Sequence, residues 1–316
     1  MRRPHAQALP FVGGRVGTTA RRRAAPLLLG LALLPPVVTA PERPKTVRPL
    51  TAGHSFSQNA TESLARIVAA DGNAPVHHRR VIGGGGPDQH LAKVAAREND
   101  PTGKAGPYNT GQSLKQELAA GKWDVIAVRQ ASIKSHDVSP YRPGMRERYA
   151  FVKAHAPASE VATHQTWAYR VDAPRFGGQA EPRTQKTKYD GLADADRTIA
   201  KELGVRSIPV GDAFSAADTD PTWGYKPDSK FDVKAATHPA LPDQTHSLHV
   251  GWRWAADKPA LTMDGHHAGP ADEYLGGLVF DEFLYGRSAV GNTCRPSGVD
   301  GDYARFLQAT AHQAVE

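Results

Sequence analysis

Residues 46–60 read TVRPLTAGHSFSQNA. The first eight fit a short β-strand, and Gly53, His54 and Ser55 carry the chain out of it. A Gly-x-Ser turn at a strand end holds a serine hydroxyl in the open. Serine is equally a favoured helix N-cap, and on its own Ser55 reads as one. The rest of the chain decides between the two. Short β-type runs recur at 77–84, 123–130, 159–167 and 205–212, of which WDVIAVRQ is the clearest buried strand. Helical spacing of apolar residues fills the gaps at 59–72, 113–121, 141–156 and 186–204, and again at 272–286 and 302–316. Strand and helix alternate five times. That pattern predicts a five-stranded parallel sheet with helices on both faces, a three-layer α/β/α sandwich. Ligands of such folds sit at the carboxyl ends of the strands. Residues 213–262, rich in Pro, Asp, His and Trp, break the alternation and read as an irregular insertion near the site.

Composition narrows the function. The chain has 316 residues, 40% hydrophobic and 22% charged, enough for one large core. Its net charge of +7 suggests nucleic acid until its location is considered. Residues 1–40 hold Arg2, Arg3, Arg15, Arg21, Arg22 and Arg23 and no Asp or Glu. Taking those six from 39 basic residues leaves 33 against 32 acidic ones, so the body is nearly neutral and carries no nucleic-acid footprint. The same stretch reads as an export signal: an arginine triplet, the apolar run AAPLLLGLALL, and VTA ending at Ala40. That run is too short and too interrupted by proline to span a membrane stably, which takes about 20 apolar residues. The expected organisation is a leader over 1–40, cleaved near Ala40, and a single domain over 41–316, working in the periplasm or outside the cell. The one cysteine, Cys294, excludes an intramolecular disulfide.

The chemistry lies in what stands at the strand ends. The first ends in Gly53-His54-Ser55, the second in IGGGG (82–86), the third in Arg129-Gln130 and the fourth in His164-Gln165. DGHH (264–267) precedes the helix at 272. In a parallel sheet these ends share one edge. Serine catalysis needs a base for the hydroxyl proton and a group that orients the base. Asp264 and His267, three apart, can meet across one turn of backbone. An oxyanion needs preorganised donors. The Ser55 N–H, a glycine N–H from 83–86 and the Gln130 amide are the candidates. Gln130 reads otherwise as a residue satisfying buried backbone, and His266 as a solvated neighbour of His267. The aromatic and polar groups His90, His164, Trp167 and Tyr169, with Trp252 and Trp254 on the insertion, are expected beside the substrate. For His164 and Trp167 core packing weighs as heavily, and for His90 a structural role weighs more.

At these blocks the sequence resembles the SGNH, or GDSL-like, hydrolase superfamily, and within it a bacterial subgroup of carbohydrate-esterase character. GHSFS, IGGGG, VRQAS and DGHH match its four blocks, and THQTWAY and LVFDEFLYG match further runs, over about residues 47–315. The resemblance implies the flavodoxin-like SGNH fold, Ser55 as nucleophile, Asp264 as orienter and His267 as base. It assigns the oxyanion hole to Ser55, Gly84 and Gln130. His54 departs from the usual Asp or Asn, and Gln130 from the usual Asn. The implied activity is hydrolysis of short-chain, acetyl-sized O-esters on a carbohydrate, without metal or organic cofactor. The partner is a small-molecule or glycan ester. An inactive glycan-binding module on the same fold and a lipase- or thioesterase-like hydrolase are the alternatives. A metal set of His246, His249, Asp264 and His267 lacks a second carboxylate ligand. The α/β-hydrolase elbow fails because Ser57 stands where its last glycine belongs.

Overall fold

The computed structural model describes residues 45–257 and 260–316. The leader expected over 1–40, with its cleavage site, lies outside them. The described residues cluster as one compact unit. Its centre is a sheet of β1 (Pro49–Gly53), β2 (His78–Val81), β3 (Val125–Val128), β4 (Glu160–His164) and β5 (Arg206–Ile208). All pairs are parallel, in the order β2-β1-β3-β4-β5. This is the flavodoxin-like doubly wound order, with β1 and β3 adjacent at the switch point. β3 shows why both faces are covered. Its side chains alternate: Val125 and Ala127 enter one core, Ile126 and Val128 the other.

The second core is closed by α3 (Pro87–Asn99), α4 (Leu114–Ala120), α5 (Gly144–His155) and α6 (Gln185–Leu203). The first is closed by α1 (Ser55–Ala60), α2 (Leu64–Ala70), α7 (Val210–Thr219), α8 (Pro270–Tyr285) and α9 (Gly301–Val315). The α8 helix is buried around almost its whole circumference, as its apolar sequence requires. It lies tight against α1. A Cβ at Gly276 would sit 2.7 Å from the Ala60 Cα.

Three expectations need correction. The helix expected over 59–72 is two helices, broken at Thr61, whose hydroxyl donates to the Ser57 carbonyl. Helix α3 was not foreseen, although Pro87 at its start and Gln89 bonded back to the Gly86 N–H form a good N-terminus. The insertion begins later and is less irregular than expected. β5 stops at Ile208, and α7 runs to Thr219 because Ala213, Phe214 and Ala217 enter the core. At its far end β6 (His249–Trp254) pairs antiparallel with β7 (Leu261–Ala268). Between α7 and β6, Asp220, Asp228, Asp232 and Asp243 each cap a turn through backbone N–H groups.

Gly276→Val should lower the unfolding free energy by about 1–3 kcal/mol through overpacking against α1. That exceeds the few tenths, roughly, that Val gains over Gly in helix propensity. Urea unfolding measures it; an unchanged midpoint would show that α1 yields freely.

Candidate active site

Ser55 opens α1 directly after β1. The turn is shaped from below. A Cβ at Gly53 would lie 2.2 Å from the Ser57 Oγ and 2.8 Å from the Arg129 side chain, so only glycine fits. His54 is the N-cap. Its Nδ1 accepts from the Phe56 N–H at 3.3 Å, and its Nε2–H donates to the Gln130 carbonyl at 3.1 Å. Both bonds need the neutral ring. Burial, then the charge of Arg129, keeps the His54 pKa well below its ordinary value. His54 thus caps where the superfamily pattern has Asp or Asn.

The Ser55 Oγ lies 3.0 Å from His267 Nε2, and His267 Nδ1 lies 3.0 Å from Asp264 Oδ2. The three side chains expected to act together are in one hydrogen-bonded line. They meet by a different route from the turn foreseen. Asp264 and His267 are on strand β7, where residues three apart ordinarily face opposite sides. A register shift resolves this. His249 pairs with Ala268 but Gly251 with Asp264, so two steps on β6 oppose four on β7. The bulge turns both side chains to one side. The Arg170 N–H donates to the Gly265 carbonyl at 2.7 Å, and Trp167 Nε1–H to the His266 carbonyl at 3.1 Å.

The bulge also recruits a residue that sequence reasoning set aside. His266 Nδ1 lies 3.0 Å from Asp264 Oδ1, and its ring centroid is 4.1 Å from that of His267. The His267 N–H reaches the same Oδ1 at 3.1 Å. Burial, set against the Asp264 charge, pulls His266 down to about 4, so at neutral pH a neutral imidazole stands beside the carboxylate. Burial disfavours the Asp264 charge too. The side-chain and backbone bonds from His267 outweigh that and hold its carboxyl well below the usual carboxylate range. Asp264, His266 and His267 also form the one close three-ligand group among the described residues. Both Nδ1 atoms already face the carboxylate, so a metal would have to displace those bonds. His249 and His246 take no part in it: His249 is buried on the Ala168 carbonyl and His246 packs on Tyr303.

The expected substrate contacts are elsewhere. His90 is wholly buried, between the Gly53 carbonyl at 3.1 Å and the Tyr108 hydroxyl at 2.6 Å, and so positions the β1 end. Trp167 is wholly buried, stacked on Phe56 at 3.9 Å beneath the site. His164 is buried edge-on to Phe280, 3.4 Å from Arg129. Tyr169 is buried on Glu181. Trp252 and Trp254 are half-buried on β6, the latter donating to the Ala240 carbonyl. Strand ends place residues at an edge; they do not say which point outward.

Gln130 also corrects the oxyanion assignment. Its amide oxygen accepts from the Ala131 N–H and its nitrogen donates to the Pro140 carbonyl, both at 2.8 Å, in a buried position. Its oxygen and one of its two amide hydrogens are thus taken up by backbone. Among 83–86, the Gly85 N–H bonds the Ile82 carbonyl and the Gly86 N–H bonds Gln89. The N–H groups of Ser55, Gly83 and Gly84 have no partner among the described residues, and Gly84 stands at φ +63°. Beneath lies Arg129, wholly buried over the Phe56 and Trp167 rings at 5.4 and 5.5 Å. Burial lowers it to about 9, still a cation at neutral pH.

Residues 48–224 match the family model described as a domain of unknown function, DUF4886. No curated protein matches. Among solved structures, a DUF4886 family protein from Bacteroides uniformis is similar with a TM-score of 0.67 and 24% identity, over 86% of this chain and 95% of that one. A candidate SGNH hydrolase from Slackia heliotrinireducens is similar with a TM-score of 0.45 and 18% identity, over 75% and 98%. An acetylxylan esterase from Geobacillus stearothermophilus is similar with a TM-score of 0.31 and 13% identity, over 54% and 80%.

Two sets of variants test the geometry. Ser55→Ala and His267→Ala should each lower kcat on an activated ester by at least about 10⁴-fold with melting unchanged. His266→Ala, which leaves the line Ser55–His267–Asp264 intact, should cost about tenfold or less; a loss equal to that of His267→Ala would reverse the assignment. Gln130→Ala should lower stability by about 1–3 kcal/mol, from an unsatisfied buried N–H and carbonyl. A loss of kcat alone, with stability kept, would restore it to the oxyanion hole.

Proposed function

As a chain that belongs to the DUF4886 family and folds like its Bacteroides uniformis member, this protein is, we propose, a serine esterase acting on short-chain O-esters of a carbohydrate. The observation that carries the reading is the line Ser55–His267–Asp264, with 3.0 Å at each step. His267 Nε2 takes the Ser55 proton as Oγ attacks the ester carbonyl. The Ser55 and Gly84 N–H groups receive the oxyanion. Collapse breaks the bond to the alcohol oxygen, which leaves with the proton from His267. Water then loses its proton to His267 and attacks the acyl-enzyme, releasing the acid and free Ser55.

The acyl preference follows from what surrounds the serine. His266 and His267 are half-buried beside Ser55, and Arg175 bears on His266 electrostatically. The aromatic surface nearby, Phe56 and Trp167, is buried beneath rather than offered to a ligand. Each CH₂ of a long chain needs buried aliphatic surface to gain its ~0.8 kcal/mol. An acetyl group needs none. Export after removal of residues 1–40 belongs to the same proposal. Among the described residues no helix is long and apolar enough to cross a membrane.

A fluorophosphonate probe should label wild type and not Ser55→Ala. kcat/KM on p-nitrophenyl esters should fall from acetate through butyrate to octanoate. A rise toward octanoate would make the protein lipase-like, and an unlabelled serine with no turnover would leave only a binding module.

A further inference from the structure

A cavity of about 520 Å³ lies where the insertion meets the first turns of α8 and α9. Its size falls within the range of small-ligand pockets. One wall is aromatic. The Trp223 ring stacks on Tyr303 with centroids 5.6 Å apart, and the His246 ring lies 4.5 Å from Tyr303 and 5.0 Å from Trp223. Tyr303 is buried, whereas Trp223 and His246 are half-buried. Thr245, Ser297 and Asp302 add polar groups to the lining.

Two features set this wall apart from ordinary packing. His246 is the one non-glycine residue at positive φ, +61°, among the described residues. Such a backbone costs of order 1–3 kcal/mol and persists only where its surroundings impose it. Here the Tyr303 hydroxyl donates to the His246 carbonyl at 3.2 Å. Yet the imidazole thus held bonds to nothing: neither ring nitrogen has a partner among the described residues, nor does the Trp223 indole N–H. The strain maintains an aromatic ring with unused hydrogen-bonding atoms at the edge of a cavity.

A flat aromatic face bordered by free donors and acceptors suits a sugar ring, whose C–H face stacks while its hydroxyls bond at the sides. Asp302 at the rim is ion-paired with Arg305, and Asp300 accepts the first N–H groups of α9, so the Asp300 carboxylate is the rim charge that disfavours an anionic sugar. Pro270, also in the lining, is three residues beyond His267, and three residues of chain reach at most about 11 Å. We propose that this cavity is a glycan-binding subsite for a neutral or amine-bearing sugar unit. Taken with the esterase reading, on which its catalytic use but not its binding rests, it holds the glycan at a distance from the ester cleaved at Ser55.

The test uses full-length Ser55→Ala protein, which separates binding from turnover. Calorimetry and tryptophan fluorescence would follow titration with xylotetraose, chitotetraose, a tetramer of glucosamine, and tetragalacturonate. At least one of the first three should bind below millimolar Kd, and tetragalacturonate at least tenfold more weakly. Adding Trp223→Ala should weaken binding at least tenfold, whereas Trp223→Phe should hold it within about threefold. His246→Gly removes the ring and relieves the backbone, so it should weaken binding while melting stays equal or rises. That variant keeps the test sound should Trp223→Ala fail to fold. Absence of binding to all of the first three, equal binding of tetragalacturonate, or binding unchanged in His246→Gly would overturn the proposal. Hydrolysis of p-nitrophenyl acetate by Trp223→Phe and His246→Gly in the Ser55 background reports on the esterase separately. Sugar binding without any hydrolysis would sink the esterase and leave the subsite standing.

Discussion

The constraint on which the site depends is that one carboxylate, on an extended strand, must face the residue three places on. A regular strand forbids it. The β7 bulge allows it, and much of the surrounding structure holds that bulge in place. Asp264 gathers two imidazole Nδ1 atoms and the His267 N–H. From the far side the loop after β4 supplies the Arg170 N–H and the Trp167 indole. Gly251, opposite Asp264, stands at φ +75°, and a Cβ there would meet Gln244 at 2.1 Å and Arg170 at 2.2 Å. Trp167 in turn stacks on Phe56, the residue after the serine. Ser55 and His267 therefore rest on one packed aromatic layer, although more than two hundred residues of sequence separate them.

Beneath that layer the protein keeps a charge that packing alone does not explain. Arg129 is wholly buried, with no carboxylate bonded to it and with Nε and Nη2 unpartnered among the described residues. A buried cation without a counter-ion is destabilising. Its sign nevertheless suits its neighbours. It opposes protonation of both His54 and His164, adding to the effect of burial. A neutral His54 retains the Nδ1 lone pair that receives the Phe56 N–H, and so the cap from which α1 and Ser55 begin. Local instability and correct presentation of the serine are linked through one guanidinium.

The sheet was legible because its strands are short runs of Val, Ile and Ala ended by Gly or polar residues, and the helices between them keep a clear apolar period. The line Ser55–His267–Asp264 was legible because chemistry demands those residue types at converging strand ends. Orientation was not. His90, His164 and Trp167 stand near the right edge but point inward, into bonds with Gly53, Arg129 and Phe56 that no periodicity announces. His266 was set aside because the three-residue spacing to Asp264 favours His267, and only the bulge brings both rings to that carboxylate. Gln130 looked like an oxyanion donor because its bonds to Ala131 and Pro140 lie within a loop. Helix α3 escaped notice behind the Gly and Pro that begin it.

The hydrogen bond from Ser55 to His267 spans 212 residues of sequence. Contacts so distant form late, since the intervening loop must close before they contribute. During synthesis at about 5–20 residues per second, β1 and its serine leave the ribosome well before Asp264 and His267 are made. Until then Ser55 lacks His267 as its partner. On the proposed esterase reading, competence thus coincides with completion of the fold, and a product truncated before β7 is silent rather than half-active.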